Sequence, residues 1–152
     1  MLLIYVAGVW LWAGQMQVQM PNKTQLREAV QYVAERRGAN ELLILQIPHT
    51  EYAYRYYTSD FGPNPFTGSD ERLDPWMGGL WTRNGLDEAA AAQEVDLLMR
   101  ANLAGRPSAW LILVEAGMWD PRGLMTRWLH DHGELRESRQ FHGIEARYYE
   151  FR

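Results

Sequence analysis

None of the 152 residues is a cysteine, which excludes disulfides, zinc–thiolate sites and thiol nucleophiles. A basic stripe is missing too. The formal net charge is −4 and the arginines are dispersed, so nucleic acid is not an expected partner. No Gly-rich loop follows either of the two strongest internal apolar runs. Ile47 is followed by Pro48-His49-Thr50, and Glu115 by Ala116-Gly117-Met118, so the dinucleotide fingerprint and the phosphate loop are both absent. Neither Gly-x-Ser-x-Gly nor His-Glu-x-x-His occurs. There is also no apolar stretch of about 20 residues, the length a bilayer-crossing helix needs. These absences leave no complete active site, no cofactor and no metal to expect.

What is present begins at the first residue. Met1 to Ala13 is apolar and uncharged, and a polar stretch through Lys23 follows it. At about 1.5 Å per residue this run is too short to span roughly 30 Å of hydrocarbon. It is a poor signal peptide, with no basic residue before it and no small-x-small site after it. Residues 1–20 are therefore expected to be the end of a membrane helix and its connector, with 21–152 a soluble domain. The competing reading makes residues 2–12 an internal strand of an ordinary soluble protein. Seven Trp and eight Tyr are many for this length, and suit a buried core, an interface or a sugar-facing surface.

The periodicity predicts a helix over about Thr24 to Arg37, with Leu26, Ala29, Val30, Val33 and Ala34 as its apolar stripe. Asn22 or Thr24 is the expected cap, Gln25 completes a capping box, and Gly38 is the expected left-handed stop. Glu41 to Ile47 reads as a strand buried on both faces. His49 to Tyr57 fits an exposed strand or a helix, and the βα rhythm favours the helix. From about 58 to 84 the chain loses periodicity and becomes a long aromatic loop. A helix over Leu86 to Ala104, capped near Asn84, and a buried strand over Ala109 to Glu115 come next. Asp120-Pro121 reads as an N-cap and first helical residue, with Leu124, Met125, Trp128 and Leu129 facing inward. The tail reads as a hairpin, Leu135 to Phe141 and Ile144 to Phe151. The expected fold is α/β: a Rossmann-like three-layer sandwich, with a short, mostly parallel central sheet and an antiparallel C-terminal hairpin at its edge.

Open α/β sheets bind ligands beyond the carboxyl ends of their strands. Gln46, His49 and Glu51 follow the first such end, and Glu115 and Asp120 follow the second. Paired carboxylates there can do acid–base work or hold a metal, although Asp120 is already explained as a cap. The candidate ligand-binding residues are His49, Glu51, Tyr52, Tyr56, Trp76, Trp81, Glu115 and Asp120; none is assigned a catalytic role. His130-Asp131-His132 reads as a solvated helix end, because histidines two apart on a helix face different ways.

Several segments resemble a known family. Leu26-Arg-Glu-Ala-Val-Gln-Tyr-Val-Ala-Glu-Arg, Leu42-Leu-Ile-Leu-Gln-Ile-Pro-His-Thr-Glu-Tyr, Tyr52-Ala-Tyr-Arg-Tyr-Tyr, Trp110-Leu-Ile-Leu-Val-Glu and Met118-Trp-Asp-Pro-Arg-Gly are similar to the C-terminal extracytoplasmic domain of bacterial membrane glycosyltransferases. These are the protein-mannosyltransferase-like enzymes, which use a lipid-phosphate sugar donor. The resemblance covers roughly residues 1–152, and its motifs are patterns of fold more than of chemistry. In such enzymes the catalytic acidic residues lie in loops near the N-terminal membrane helices, so none carries over to this chain. The resemblance implies a non-catalytic domain on the extracytoplasmic face that caps or assists a membrane-borne active site. Its implied partners are the transmembrane part of the same polypeptide and a lipid-linked sugar or acceptor. Two alternatives come from the residues alone: a free-standing soluble α/β small-molecule-binding protein, and a small enzyme using Glu115 and Asp120.

Overall fold

The computed structural model describes residues 24–47, 49–59, 66–67, 87–120 and 122–152, with backbone alone for 66–67, 118 and 119. Helix α1 (Leu26–Ala34) buries Ala29, Val30 and Val33, the stripe that the 3.6-residue period predicts. Strand β1 (Leu42–Leu45) is buried at every position. The tyrosine-rich segment after it is helix α2 (Thr50–Thr58). Strand β2 (Phe66–Thr67) is followed by helix α3 (Glu88–Leu103) and strand β3 (Ser108–Val114). The short helix α4 (Ala116–Trp119) and helix α5 (Leu124–His132) lead into strands β4 (Gly133–Phe141) and β5 (Ile144–Phe151).

This is a mixed α/β fold. The five strands of the described residues form one sheet in the order β2-β1-β3-β5-β4. β1 runs parallel to β2 and β3, while β5 is antiparallel to β3 and β4. The hairpin therefore sits at the edge, and its second strand is the one that joins β3.

Alternation sorts the sheet's side chains into two apolar clusters. Leu42, Ile44, Ala109, Leu111, Leu113 and Tyr149 pack with α3 and α5 residues such as Val95, Met99 and Leu129. The intervening residues Leu43, Leu45, Trp110, Ile112, Val114 and Ile144 pack with Val30 and Val33 of α1 and Tyr54 of α2. Each fully buried Leu or Ile contributes roughly 1.5–3 kcal/mol, so these two clusters are the main source of stability.

Several local expectations are corrected. Phe66–Thr67, within the expected loop, is a strand paired with Ile44 and Leu45; the rest of that loop from residue 60 to 86 lies outside the described residues. Gly38 is not left-handed. Its N–H instead donates to Glu41 Oε2 at 2.7 Å. The cap of α3 is Asp87, whose side chain accepts from Ala90 N–H at 2.8 Å. Asp120 does not stand directly before a helix; α5 begins at Leu124, with left-handed Gly123 before it, and Pro121 lies outside the described residues. Asp120 still caps in effect, because its Oδ1 accepts from Leu124 N–H at 3.2 Å.

Parallel pairing puts the carboxyl ends of β1 and β3 at one end of the sheet, termed the rim, and their amino ends at the other, the base. The β4–β5 turn belongs to the rim, since Val114 pairs with Ile144 and Glu115 N–H donates to Gly143 O at 3.1 Å. The start of α1 is fastened there as well. Gln25 N–H donates to His142 O at 3.0 Å, and Gln25 Oε1 accepts from His142 N–H at 2.9 Å. Gln25 thus ties the helix to the hairpin instead of completing a capping box.

Candidate functional site at the rim

Six of the eight candidate residues lie in the described chain, and all six follow the carboxyl ends of β1 and β3. His49 precedes α2 and is exposed. Glu51 pairs with Arg55 one turn on, at 2.8 Å, and both are mostly buried. Tyr52 and Tyr56 are 77% and 78% exposed. Glu115 ends β3, and Asp120 follows α4. Trp76 and Trp81 lie outside the described residues.

The rim holds polar atoms without hydrogen-bond partners. Gln46 is buried; its Oε1 accepts from Val114 N–H at 2.9 Å, yet its Nε2 has no partner. Thr50 Oγ1, at the first turn of α2, is buried and unpartnered. Asp120 is 7% exposed and its Oδ2 is likewise unpartnered. Burial pushes the Asp120 carboxyl above the usual carboxylate range, against the N–H groups of Leu124, Gly123 and Met125, which pull it down. Such groups each carry an unrepaid desolvation cost.

Glu115 is different. It is exposed, and its backbone is left-handed at φ 47° and ψ 48°, a conformation that costs a non-glycine residue of order 1–2 kcal/mol. Beside it a cavity of about 360 Å³ is lined by Glu115, Gln140, Phe141, Gly143 and Glu145 among others. Glu145 is held rigidly, with Arg147 Nε and Nη2 donating to its two oxygens at 2.7 Å and Ser138 Oγ donating at 2.7 Å. These donors hold the Glu145 carboxyl low despite the burial that raises it. Glu115 and Asp120 are therefore not a matched pair. One is an exposed carboxylate on a strained backbone and the other a buried acid serving a helix start.

The base is better satisfied, although the buried Trp110 Nε1 has no partner there. Glu41 accepts from Gly38 N–H at 2.7 Å, Tyr148 OH at 2.8 Å and Ser108 OH at 3.1 Å. Partial burial raises its affinity for a proton, but these donors together bring the carboxyl below its usual range.

Thr50, Gln140, Glu145 and Arg147 were not singled out in the sequence. Glu145 and Arg147 had a visible signal, since residues two apart on a strand share a face. Among the described residues no group of three or more His, Asp or Glu is placed to hold a metal ion, and no helix is long and apolar enough to cross a membrane. Comparison of the chain with protein-family models, with curated proteins and with solved structures finds no match.

Proposed function

We propose that residues 21–152 are the non-catalytic extracytoplasmic domain of a membrane-embedded glycosyltransferase, which moves a sugar from a lipid-phosphate donor to an acceptor. In this reading Met1 to Ala13 belongs to lipid, the transmembrane part of the same polypeptide is the partner, and the rim caps or assists the active site. A Rossmann-like three-layer arrangement is part of the proposal, supported by the apolar clusters against the two faces of the sheet.

One observation supports the orientation above the others: the two Gln25–His142 hydrogen bonds that fasten the start of α1 to the rim. A chain coming from the apolar run reaches the domain at the end where the candidate residues lie. Aromatic Tyr52 and Tyr56 beside that end suit a sugar or lipid-linked ligand.

The test is a fusion of a reporter after Arg152 in the complete gene product. Alkaline phosphatase, active only once exported, is expected to work there, and green fluorescent protein, dark when exported by the general route, is expected to stay dark. Membranes from these cells are expected to transfer sugar from a polyprenyl-phosphate donor, with reduced transfer after deletion of 24–152. A fluorescent fusion, or transfer unaffected by the deletion, overturns the reading. The cavity beside Glu115 favours a second reading, a free-standing small-molecule-binding protein, which requires the chain to stay in the supernatant when membranes are pelleted.

A further inference from the structure

We infer that Tyr52 and Tyr56 seat this domain on the headgroup region of the bilayer. The inference rests on the reading that Met1 to Ala13 belongs to lipid, and it adds which face of the domain lies down on the membrane.

Two tyrosines four apart on a helix share a face. In α2 they are 77% and 78% exposed, and Tyr57, half-exposed, stacks edge-on against Tyr56 with ring centroids 5.2 Å apart. No described part of the fold covers the two rings. The neighbouring charges on α2 are Glu51 and Arg55, which neutralise each other at 2.8 Å, so no net charge from that pair opposes approach to lipid. A tyrosine carries an apolar ring and a polar tip, the combination that places it at membrane–water interfaces.

Chain length supplies the occupant. α1 begins at the rim and packs against α2. From Ala13 to Gln25 the chain reaches at most about 40 Å even when fully extended. A bilayer holding the apolar run is therefore within a domain's width of the end from which α2 starts. The opposite face of the sheet is unlike this one. There α3 exposes Leu97 next to the Asp96–Arg100 pair, and the side chains of that pair and of Glu88–Arg127 are more exposed to water than those of Glu51 and Arg55.

The absence of cysteine makes single introduced thiols unambiguous probes. The full chain is reconstituted with phosphatidylcholine vesicles and carries one nitroxide label at Leu11→Cys, Tyr57→Cys or Leu97→Cys. Collision with oxygen, which concentrates in lipid, is compared with collision with a water-soluble nickel chelate. The expected result is a severalfold lower nickel collision rate at 57 than at 97, with oxygen collision raised at 57. Adding Tyr52→Ser and Tyr56→Ser to the Tyr57→Cys chain is expected to restore water-like values. Both side chains point outward, so the substitutions leave the core intact, and circular dichroism of each variant checks this. If 57 matches 97 while 11 is in lipid, the inference fails and the membrane reading stands. If 11 is also in water, the membrane reading itself fails. Unchanged lipid exposure at 57 after both serine substitutions overturns the role of the two tyrosines.

Discussion

The two ends of the sheet satisfy their buried polar groups to different degrees. At the base, Glu41 gathers three donors from Gly38, Ser108 and Tyr148. The base leaves one buried atom unpartnered, Trp110 Nε1, whereas at the rim Gln46, Thr50 and Asp120 each keep one, and Glu115 holds a left-handed backbone. Stability explains most of the base, where three hydrogen bonds to Glu41 offset its desolvation cost. It does not explain the rim, where the same kind of cost is left standing. Unmet buried polarity is greater at the rim, and a strained backbone such as that of Glu115 recurs at functional sites; the other left-handed non-glycine among the described residues, Ser59, simply follows the end of α2. The end that is less well satisfied is also the end where α1 enters.

The contrast can be broken by substitution. The largest expected effect is at the base: Glu41→Ala orphans the hydroxyl of buried Ser108 and removes three hydrogen bonds, lowering unfolding free energy by about 2–3 kcal/mol in urea titration. The wild-type contribution of Glu41 also has a defined pH window. Its folded pKa lies below the unfolded value of about 4.3, so the stabilisation is present above that pH and is lost as pH falls through the folded value.

Rim substitutions should go the other way. Thr50→Val keeps the shape and removes an unpartnered hydroxyl, with an expected gain of about 1 kcal/mol by the same titration. A loss of similar size would mean that the hydroxyl has a partner. Glu115→Gly relieves a positive φ and should raise stability by up to about 1 kcal/mol. Equal or lower stability would contradict the strain at that position. The smallest effect is a slope. Burial raises the folded pKa of Asp120 above the unfolded value of about 3.9, so its contribution is most favourable below that pH and declines as pH rises through the folded value. Asp120→Asn, which can still accept from Leu124 N–H, should remove that decline in denaturation midpoints measured between about pH 4 and 7. A variant with the wild-type slope would remove Asp120 from this explanation.

Much of the fold was legible because periodicity reports burial. The stripe Ala29-Val30-Val33 and the runs through Leu42–Leu45 and Ala109–Val114 are buried where their spacing requires. Helix won over strand for the tyrosine segment, and Tyr54, the residue it buries among four tyrosines, packs into the α1 cluster. Helix ends were less legible, since Gln25, Gly38 and Asp120 were each claimed by distant partners or later turns in place of the expected caps. The two-residue strand at Phe66–Thr67 has too little sequence to carry a period. At the rim the sequence located Gln46, His49, Glu51, Glu115 and Asp120, because strand ends are readable. It did not anticipate which polar atoms would be left unpartnered, because that depends on side-chain packing across elements far apart in the chain.

The central claim, that the apolar opening belongs to lipid and not to the domain's core, is tested most directly by thermal unfolding of residues 21–152 beside the full chain. The expected result is one cooperative transition with a melting temperature within about 3 °C of the full chain's, the shift that roughly 1 kcal/mol produces at this size. A shortened chain with no cooperative transition would contradict it, since Met1 to Ala13 would then be part of what the sheet and helices enclose.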